Sequence, residues 1–451
     1  MNYVGVSEGY HDASLAIITE EGNIVWAEHS ERYSKVKNDP SLCSALLKEI
    51  QKDDILTFYE SKLAVNANPL NYQYYVPHHV SHAAGAFMTR PWEDPSDTVM
   101  LTIDGWGEHE SACIFDNNYN LLLEKNNRLS IGVLYSSTTH HLGLKPMEDE
   151  YVVMGLSSYG TCDPYWYNYL EEGYDTEPKD YFGYTKLMVK NLSKPDCAAT
   201  VQKFCEDKIY ELAKEARKHG SKLVYSGGVA QNIIANTKIR NMFDDMWIPT
   251  AVSDAGSALG CAAYTWGKHY SKTRINWEHP YLGHSIKERN VNPREVVQHL
   301  LKDKLCGVAH GRTEYGPRAL GNRSLIADVR YDVKDTVNDI KQRQRYRPFA
   351  PAILEEHASS YFDGHMNEYM QYVSKALHDY KSVIHVDGTS RVQVVKKDCQ
   401  SILRKILEEY YEETKVPMLL NTSLNIRGRP MVNTGKDARL FEQRYDVKVF
   451  M

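Results

Sequence analysis

The chain has 451 residues, more than one ordinary hydrophobic core accommodates, so two domains are expected. Hydrophobic residues at 42% and charged residues at 25% are the composition of a soluble globular protein, and no apolar run of about 18 residues is present to span a bilayer. A net charge of −6 argues against nonspecific nucleic-acid binding while leaving room for a local basic cleft.

The opening MNYVGVSEGYHDASLAII has no basic n-region and carries Glu8, His11 and Asp12, so it does not read as a signal peptide. Eight cysteines without a C-x-x-C pair fit a reducing cytoplasm. Residues 2–7 and 14–18 read as strands around the polar turn 8–13, and Glu21-Gly22 as the hairpin turn before a strand over 23–29. The spacing of Leu42, Leu46, Leu47 and Ile50 predicts an amphipathic helix over 41–65. After VPHHVSHAAGAFMTR (76–90), residues 99–103 form a buried strand leading into DGWGEHES, and a hairpin follows around 117–120. Residues 161–195, rich in Tyr, Trp, Asp and Pro without periodicity, read as a variable insert near an acceptor site. A helix is expected over 197–219, a strand over 222–225, and glycine-containing turns into helices at 226–236 and 254–266. The polar, aperiodic stretch 267–290 separates a domain of about 1–275 from one of about 285–451, which opens on a strand at 306–309. The sequence shows no internal repeat.

Several constellations carry chemistry. His78 and His82, spaced i, i+4, project from one face of a helix and can share a transition-metal ion; helix-surface histidines are the plainer alternative. Gly227, Gly228 and Asn232 form a turn feeding a helix N-terminus, which offers N–H groups to an anion or serves as a simple tight turn. Asp12, beside His11, is a candidate general base for an acceptor hydroxyl, with His11 second, or else an Asx-turn residue. From 311 to 351 the chain alternates glycines with Arg312, Arg318, Arg323 and Arg330, then Lys341, Arg343, Arg345 and Arg347. Guanidinium forks and open backbone suit a phosphate-rich pocket. Ala319, Leu320, Leu325, Ile326 and Ala327 among them require part of the segment to be buried. Arg391, near His385, can neutralise a second anion.

GRTEYGPRALGNRSLIADVR, K-x-R-x-x-x-RPFAP, HVDGTSRVQVV (385–395) and LLNTSLNIRGRPMVNT (419–434) resemble the C-terminal blocks of NodU/CmcH-type O-carbamoyltransferases. HDASLAII, AEHSERYSKVKND and SIGVLYSSTTHHLGLKPMEDEYVVMGLSSYG (130–160) extend the resemblance through the N-terminal half. The family places a lysine two residues after Glu150, where this chain has Val152. The resemblance implies an α/β protein with an actin-like ATPase (ASKHA) N-terminal domain of the tRNA threonylcarbamoyl transferase type and a YrdC-like C-terminal domain. It implies that His78, His82, Asp104 and Asp254 hold a metal, with iron(II) expected and zinc or manganese permitted by ligand type. In the second domain Lys341, Arg343, Arg347, Ser423 and Asn425 match the K-R and S-x-N elements of YrdC-like domains, which bind ATP and a carbonate-like anion. The implied activity splits carbamoyl phosphate and forms carbamoyl-adenylate from ATP, with magnesium expected alongside. Arg318 and Arg347 neutralise phosphate charge, and the carbamoyl group then passes to a hydroxyl. Two fused domains would keep so labile an intermediate from water. The acceptor is a hydroxylated small molecule, such as a sugar, or a hydroxymethylpyrimidine in a nucleotide or DNA. A tRNA threonylcarbamoyl transferase and a noncatalytic nucleotide-binding regulator are the competing expectations.

Overall fold

NYVGVS and SLAIIT, two short β-rich runs, pair antiparallel as β1 (Asn2–Ser7) and β2 (Ser14–Thr19), with Ser7 opposite Ser14 at the turn. The structure, a computed structural model, describes residues 1–59, 70–126, 130–174, 181–287 and 290–451. Its chain divides into two units: Met1–Val25, Pro40–Leu42 and Lys48–Trp277 in the first, and Trp26–Asp39, Cys43–Leu47 and Glu278–Met451 in the second.

The expected helix over 41–65 is a single helical turn, Ser44–Leu47, followed by strand β4 (Ile55–Tyr59). ILTFY is β-branched and aromatic, and lying parallel between β1 and β5 (Tyr74–Val76) it is buried almost throughout, which overrides the leucine spacing upstream. Residues 60–69 of that expectation lie outside the described residues. With β3 (Ile24–His29) the sheet order is β3-β2-β1-β4-β5. A second sheet repeats the plan. In it β6 (Thr98–Ile103) pairs antiparallel with β7 (Glu110–Phe115) and parallel with β9 (Lys222–Ser226). With β8 (Leu121–Asn126) and β10 (Asp245–Trp247) its order is β10-β9-β6-β7-β8. The topology is therefore doubled although the sequence shows no repeat. The aperiodic stretch 161–195 contributes two helices, Pro164–Tyr174 and Tyr181–Asn191, ahead of the long helix Lys194–Arg217.

Two helices exchange sheets. The histidine helix His78–Phe87 follows the first sheet in sequence and packs on β6, β7 and β9 of the second. The aspartate helix Asp254–Tyr270 follows the second sheet and packs on β1, β2, β4 and β5 of the first. They also pack on each other through small residues. A Cβ on Gly260 would stand 1.9 Å from the Ser81 carbonyl oxygen, and one on Gly5 of β1 would stand 1.8 Å from that of Ala258.

The second unit is built on a six-stranded sheet, β19-β15-β20-β14-β12-β21. Its strands are β12 (Leu305–Ala309), β14 (Arg323–Ala327), β15 (Ala350–Leu354), β19 (Gln393–Val395), β20 (Met418–Ser423) and β21 (Val449–Phe450). A two-stranded sheet pairs β11 (Tyr281–Ile286) with β13 (Gly311–Glu314), and a three-stranded one joins β16 (Phe362–Asp363), β17 (Ser374–Ala376) and β18 (Thr389–Ser390). One face of the large sheet packs Leu325, Ala327, Met418 and Leu420 into one core, and the other packs Cys306, Val308, Ile326 and Leu419 into a second. The architecture is mixed α/β in both units. Among the described residues no helix is long and apolar enough to cross a membrane.

In an ordinary helix Gly→Ala is stabilising. At Gly260 the sign should reverse, because the added methyl meets backbone that cannot turn aside. Gly260→Ala is expected to cost on the order of 3 kcal/mol and to lower the unfolding midpoint by about 6–12 °C, measured by calorimetry.

Candidate functional site

The helix exchange brings two helix N-termini and a strand end to one point. His78 and His82 lie on the first turns of the histidine helix, Asp254 is the first residue of the aspartate helix, and Asp104 directly follows β6. All four are buried, and one ligand atom from each lies within 4.8 Å of every other. His82 Nε2 is 2.9 Å from Asp104 Oδ2, 3.5 Å from Asp254 Oδ1 and 3.1 Å from His78 Nε2. His78 Nε2 is 3.7 Å from Asp104 Oδ2 and 3.9 Å from Asp254 Oδ1.

Three of the four residues, Asp104, His82 and Asp254, are oriented from behind. Gly105 and Gly228 donate N–H bonds to Asp104 Oδ1 and Oδ2 at 2.6 and 3.0 Å. Ser257 Oγ lies 3.3 Å from His82 Nδ1, and the Tyr59 hydroxyl donates to Asp254 Oδ2 at 3.3 Å. Burial opposes ionisation of both aspartates. The facing His78 and His82 nevertheless hold Asp104 well below the usual carboxylate range, and His11, His82 and His78 hold Asp254 low. For His82, burial is outweighed by the two carboxylates, which push it up. His79 points away, between the Thr102 hydroxyl and the Glu110 carbonyl, and burial together with its two histidine neighbours drives it down to about 3.

The set fits a metal ion. Ligand atoms about 2.1 Å from a shared ion stand about 3.0 Å apart at right angles and about 3.4 Å apart in a tetrahedron, and the distances found straddle those values. Two imidazoles with two carboxylates suit iron, zinc or manganese, and the backing hydrogen bonds are those that aim first-sphere ligands.

The β1–β2 turn adds a chain of contacts. Asp12, at φ 52°, places Oδ2 3.1 Å from His11 Nδ1, and His11 Nε2 is 3.5 Å from Asp254 Oδ2. Burial lowers His11, but Asp254 and then Asp12 outweigh it and push the imidazole up to about 9. His11, the second choice from sequence, therefore touches the cluster directly, and Asp12 reaches it through His11. The glycine turn differs from the phosphate cradle expected of it. The Gly228 N–H is taken by Asp104, and a Cβ on Gly227 would meet the Ile103 carbonyl oxygen at 2.2 Å. Asn232 caps Ala235 at 3.2 Å and exchanges two hydrogen bonds with Gln202 at 3.0 and 3.1 Å. These residues aim Asp104 and start a helix.

In the second unit the structure sorts the arginines. Arg323, fully buried, donates to the carbonyls of His310, Gly311, Asn322, His284 and Asn433 at 2.7–3.3 Å, so it holds loops together. Arg312 reaches the Leu282 and Gly283 carbonyls, Arg330 pairs with Asp328 at 2.7 Å, and Arg345 pairs with Asp339 at 2.8 Å. The phosphate-pocket reading of the whole run is corrected at these four positions. Lys341 behaves differently. Its buried ammonium group meets the Ser423 carbonyl, the Ser423 hydroxyl at 3.3 Å, and both the carbonyl and the Oδ1 of Asn425 at 2.9 Å. Burial first, then Arg343 and Arg347, hold it well below the ordinary lysine value. Buried Asn338, which the sequence reading missed, staples the loop: its Nδ2 donates to the Arg345 and Arg347 carbonyls at 3.2 and 3.3 Å, and its Oδ1 accepts from Arg343 Nε. Arg343 stacks 4.1 Å from the Phe349 ring centroid, and Arg347 is buried beside it in the chain. Arg318 and Arg391 are half-buried. Lys341, Ser423 and Asn425 are thus joined by hydrogen bonds.

Two family models match the chain. Residues 47–263 match the carbamoyltransferase N-terminus model, and residues 297–451 match the carbamoyltransferase C-terminus model. The chain belongs to the carbamoyltransferase family. This carbamoyltransferase is 30% identical to nodulation protein NolO of Bradyrhizobium diazoefficiens, over 80% of its own length and 75% of that protein's. It is 27% identical to nodulation protein U of Rhizobium tropici (82% and 73%), and 29% identical to an uncharacterised Methanocaldococcus jannaschii protein (96% and 95%). The activator of 2-hydroxyisocaproyl-CoA dehydratase from Clostridium difficile aligns at a TM-score of 0.39 and 15% identity, over 60% of this chain and 96% of its own, too distant to support an inference.

The two kinds of arginine separate by stability. Arg323→Ala strands several buried carbonyls and should cost on the order of 3–5 kcal/mol in chemical denaturation. Arg345→Ala, at an exposed ion pair, should leave the unfolding midpoint unchanged.

Proposed function

We propose that this carbamoyltransferase makes carbamoyl-adenylate in its second unit and transfers the carbamoyl group to an acceptor hydroxyl in its first. The observation that carries the reading beyond the family is the convergence of His78, His82, Asp104 and Asp254 from three separate segments of the first unit. The doubled sheet order with exchanged helices supports an actin-like fold there, and the grouping of Lys341, Ser423 and Asn425 supports a YrdC-like second unit.

In the second unit water attacks the carbonyl carbon of carbamoyl phosphate and the C–O bond to phosphate breaks, giving carbamate and phosphate with release of a proton. A carbamate oxygen then attacks the α-phosphorus of ATP, and pyrophosphate leaves. Arg318, Arg343 and Arg347 supply positive charge to the phosphates, Arg391 takes a second anion, and Lys341 orders the Ser423–Asn425 turn. In the first unit His78, His82, Asp104 and Asp254 hold a divalent metal, iron(II) by family, which when bound supplies a Lewis acid to the carbamoyl oxygen. Asp12 receives the acceptor proton, held beside the cluster by its contact with His11, and AMP leaves. Magnesium accompanies ATP. The acceptor is a sugar or other metabolite hydroxyl, or a hydroxymethylpyrimidine in a nucleotide or DNA. Incubation with carbamoyl phosphate, ATP and a panel of such acceptors, read by mass spectrometry, should show a carbamoyl increment on one class. A panel with no increment and no ATP-to-AMP conversion refutes the reading.

The units should fail separately. His82→Ala should lower transition-metal content, measured by elemental mass spectrometry, and abolish transfer while carbamoyl phosphate-dependent ATP cleavage survives. Arg347→Ala should slow adenylate formation roughly thirtyfold to a thousandfold, equivalent to about 2–4 kcal/mol in the barrier, and leave transfer from supplied carbamoyl-adenylate largely intact.

A further inference from the structure

Alternation along β20 puts Asn421 on the same sheet face as Ser423, the residue whose hydroxyl meets Lys341. Pairing of β20 with β14 sets Ser324 directly opposite Ser423, so Ser324 shares that face. Deeper along it lie Ile326 and Leu419, so the apolar core gives way to amides and hydroxyls where Lys341 reaches the sheet.

The orientation of Asn421 is fixed by a chain of contacts. Gln393 Nε2 donates to the Leu320 carbonyl at 3.0 Å, which turns Gln393 Oε1 toward Asn421. Asn421 Nδ2 then donates to Gln393 Oε1 at 2.6 Å and to the Ala319 carbonyl at 3.1 Å. Both partners are acceptors, so the amide cannot be reversed. Asn421 Oδ1 is left facing the other way, buried and with no hydrogen-bond partner among the described residues. Ser324 Oγ, fully buried, is likewise without one. An orphaned buried acceptor is costly, and native structures keep one where a ligand or water completes it.

The two orphans have complementary needs. Asn421 Oδ1 needs a donor, and Ser324 can give its hydroxyl proton to an acceptor. As diagonal neighbours on one face they stand about 7–8 Å apart at the backbone, and both side chains rise from that face. A primary amide end, H2N–C=O, offers the matching donor and acceptor. A fully ionised phosphate offers no donor. We propose that Asn421 and Ser324 form the pocket that selects the carbamoyl end of the donor. Asn421 Oδ1 accepts from the –NH2 group, Ser324 donates to the carbonyl oxygen, and the phosphate lies toward the Lys341 and Arg347 side. This rests on the reading that the second unit binds carbamoyl phosphate.

The test compares carbamoyl phosphate with acetyl phosphate, which replaces –NH2 by a methyl group of similar size and leaves Asn421 Oδ1 unpaired. Calorimetric titration of the full-length parent should give acetyl phosphate an affinity at least about tenfold weaker. Asn421→Ala should weaken carbamoyl phosphate about tenfold, leave acetyl phosphate and inorganic phosphate within about threefold of the parent, and so erase the preference. Equal binding of the two acyl phosphates by the parent, or a preference that survives Asn421→Ala, overturns the assignment. If Asn421→Ala does not fold, the parent comparison decides alone, because the two ligands differ only at the group in question. Failure of the underlying reading looks different: the parent then binds neither acyl phosphate, which removes both conclusions.

Discussion

Gly260 approaches the carbonyl of Ser81 so closely that no side chain fits between them, and this contact sets the distance between the two exchanged helices. Helix axes can draw that near only where both faces are small, and HAAGAF on one helix and AGSALGCAA on the other supply such faces. Because each helix begins at the cluster, their crossing fixes how far His78 and His82 stand from Asp254. A wider crossing would part the imidazoles from the carboxylate and leave four buried polar groups without one another.

That arrangement is also an electrostatic constraint. Two carboxylates taken out of water beside one another repel, and burial alone would drive protons onto them. His78, His82 and His11 reverse the balance, and the N–H groups of Gly105 and Gly228 satisfy Asp104 from behind. A cluster that keeps acids ionised in a dry place suits a cation. The same backing explains why Gly228 sits against Asp104 and Gly227 against Ile103, where a bulkier turn would collide with β6.

The second unit shows how a basic run divides its labour. Arginines whose forks meet carbonyls or carboxylates of the same fold are structural, as at Arg323 and Arg330. Lys341 instead gathers the Ser423–Asn425 turn, and Asn338 folds the following loop so that Arg343 and Arg347 belong to the same local structure. Gly283 shows the tightness of packing in this unit, since a Cβ there would meet Glu28 Oε2 at 1.9 Å.

Local chemistry was enough to read much of this from sequence. The β-rich runs at β1, β2 and β6, the helix Lys194–Arg217, the i, i+4 pairing of His78 with His82 and the family blocks are all properties of neighbouring residues. Other features depend on partners distant in the chain and left no local signal. ILTFY became a strand because β1 and β5 flank it, and Tyr59 reached Asp254 as a result. The doubled topology is a matter of pairing order, which unrelated sequences can share. Which arginines are taken up by carbonyls of the fold is decided by residues far away in the chain, as with Arg323 and Asn433. The unpaired oxygen of Asn421 is visible only after Gln393 and Leu320 have fixed the direction of its amide. Sequence specifies the chemical groups and their local geometry; only the tertiary fold decides which of their hydrogen bonds remain open.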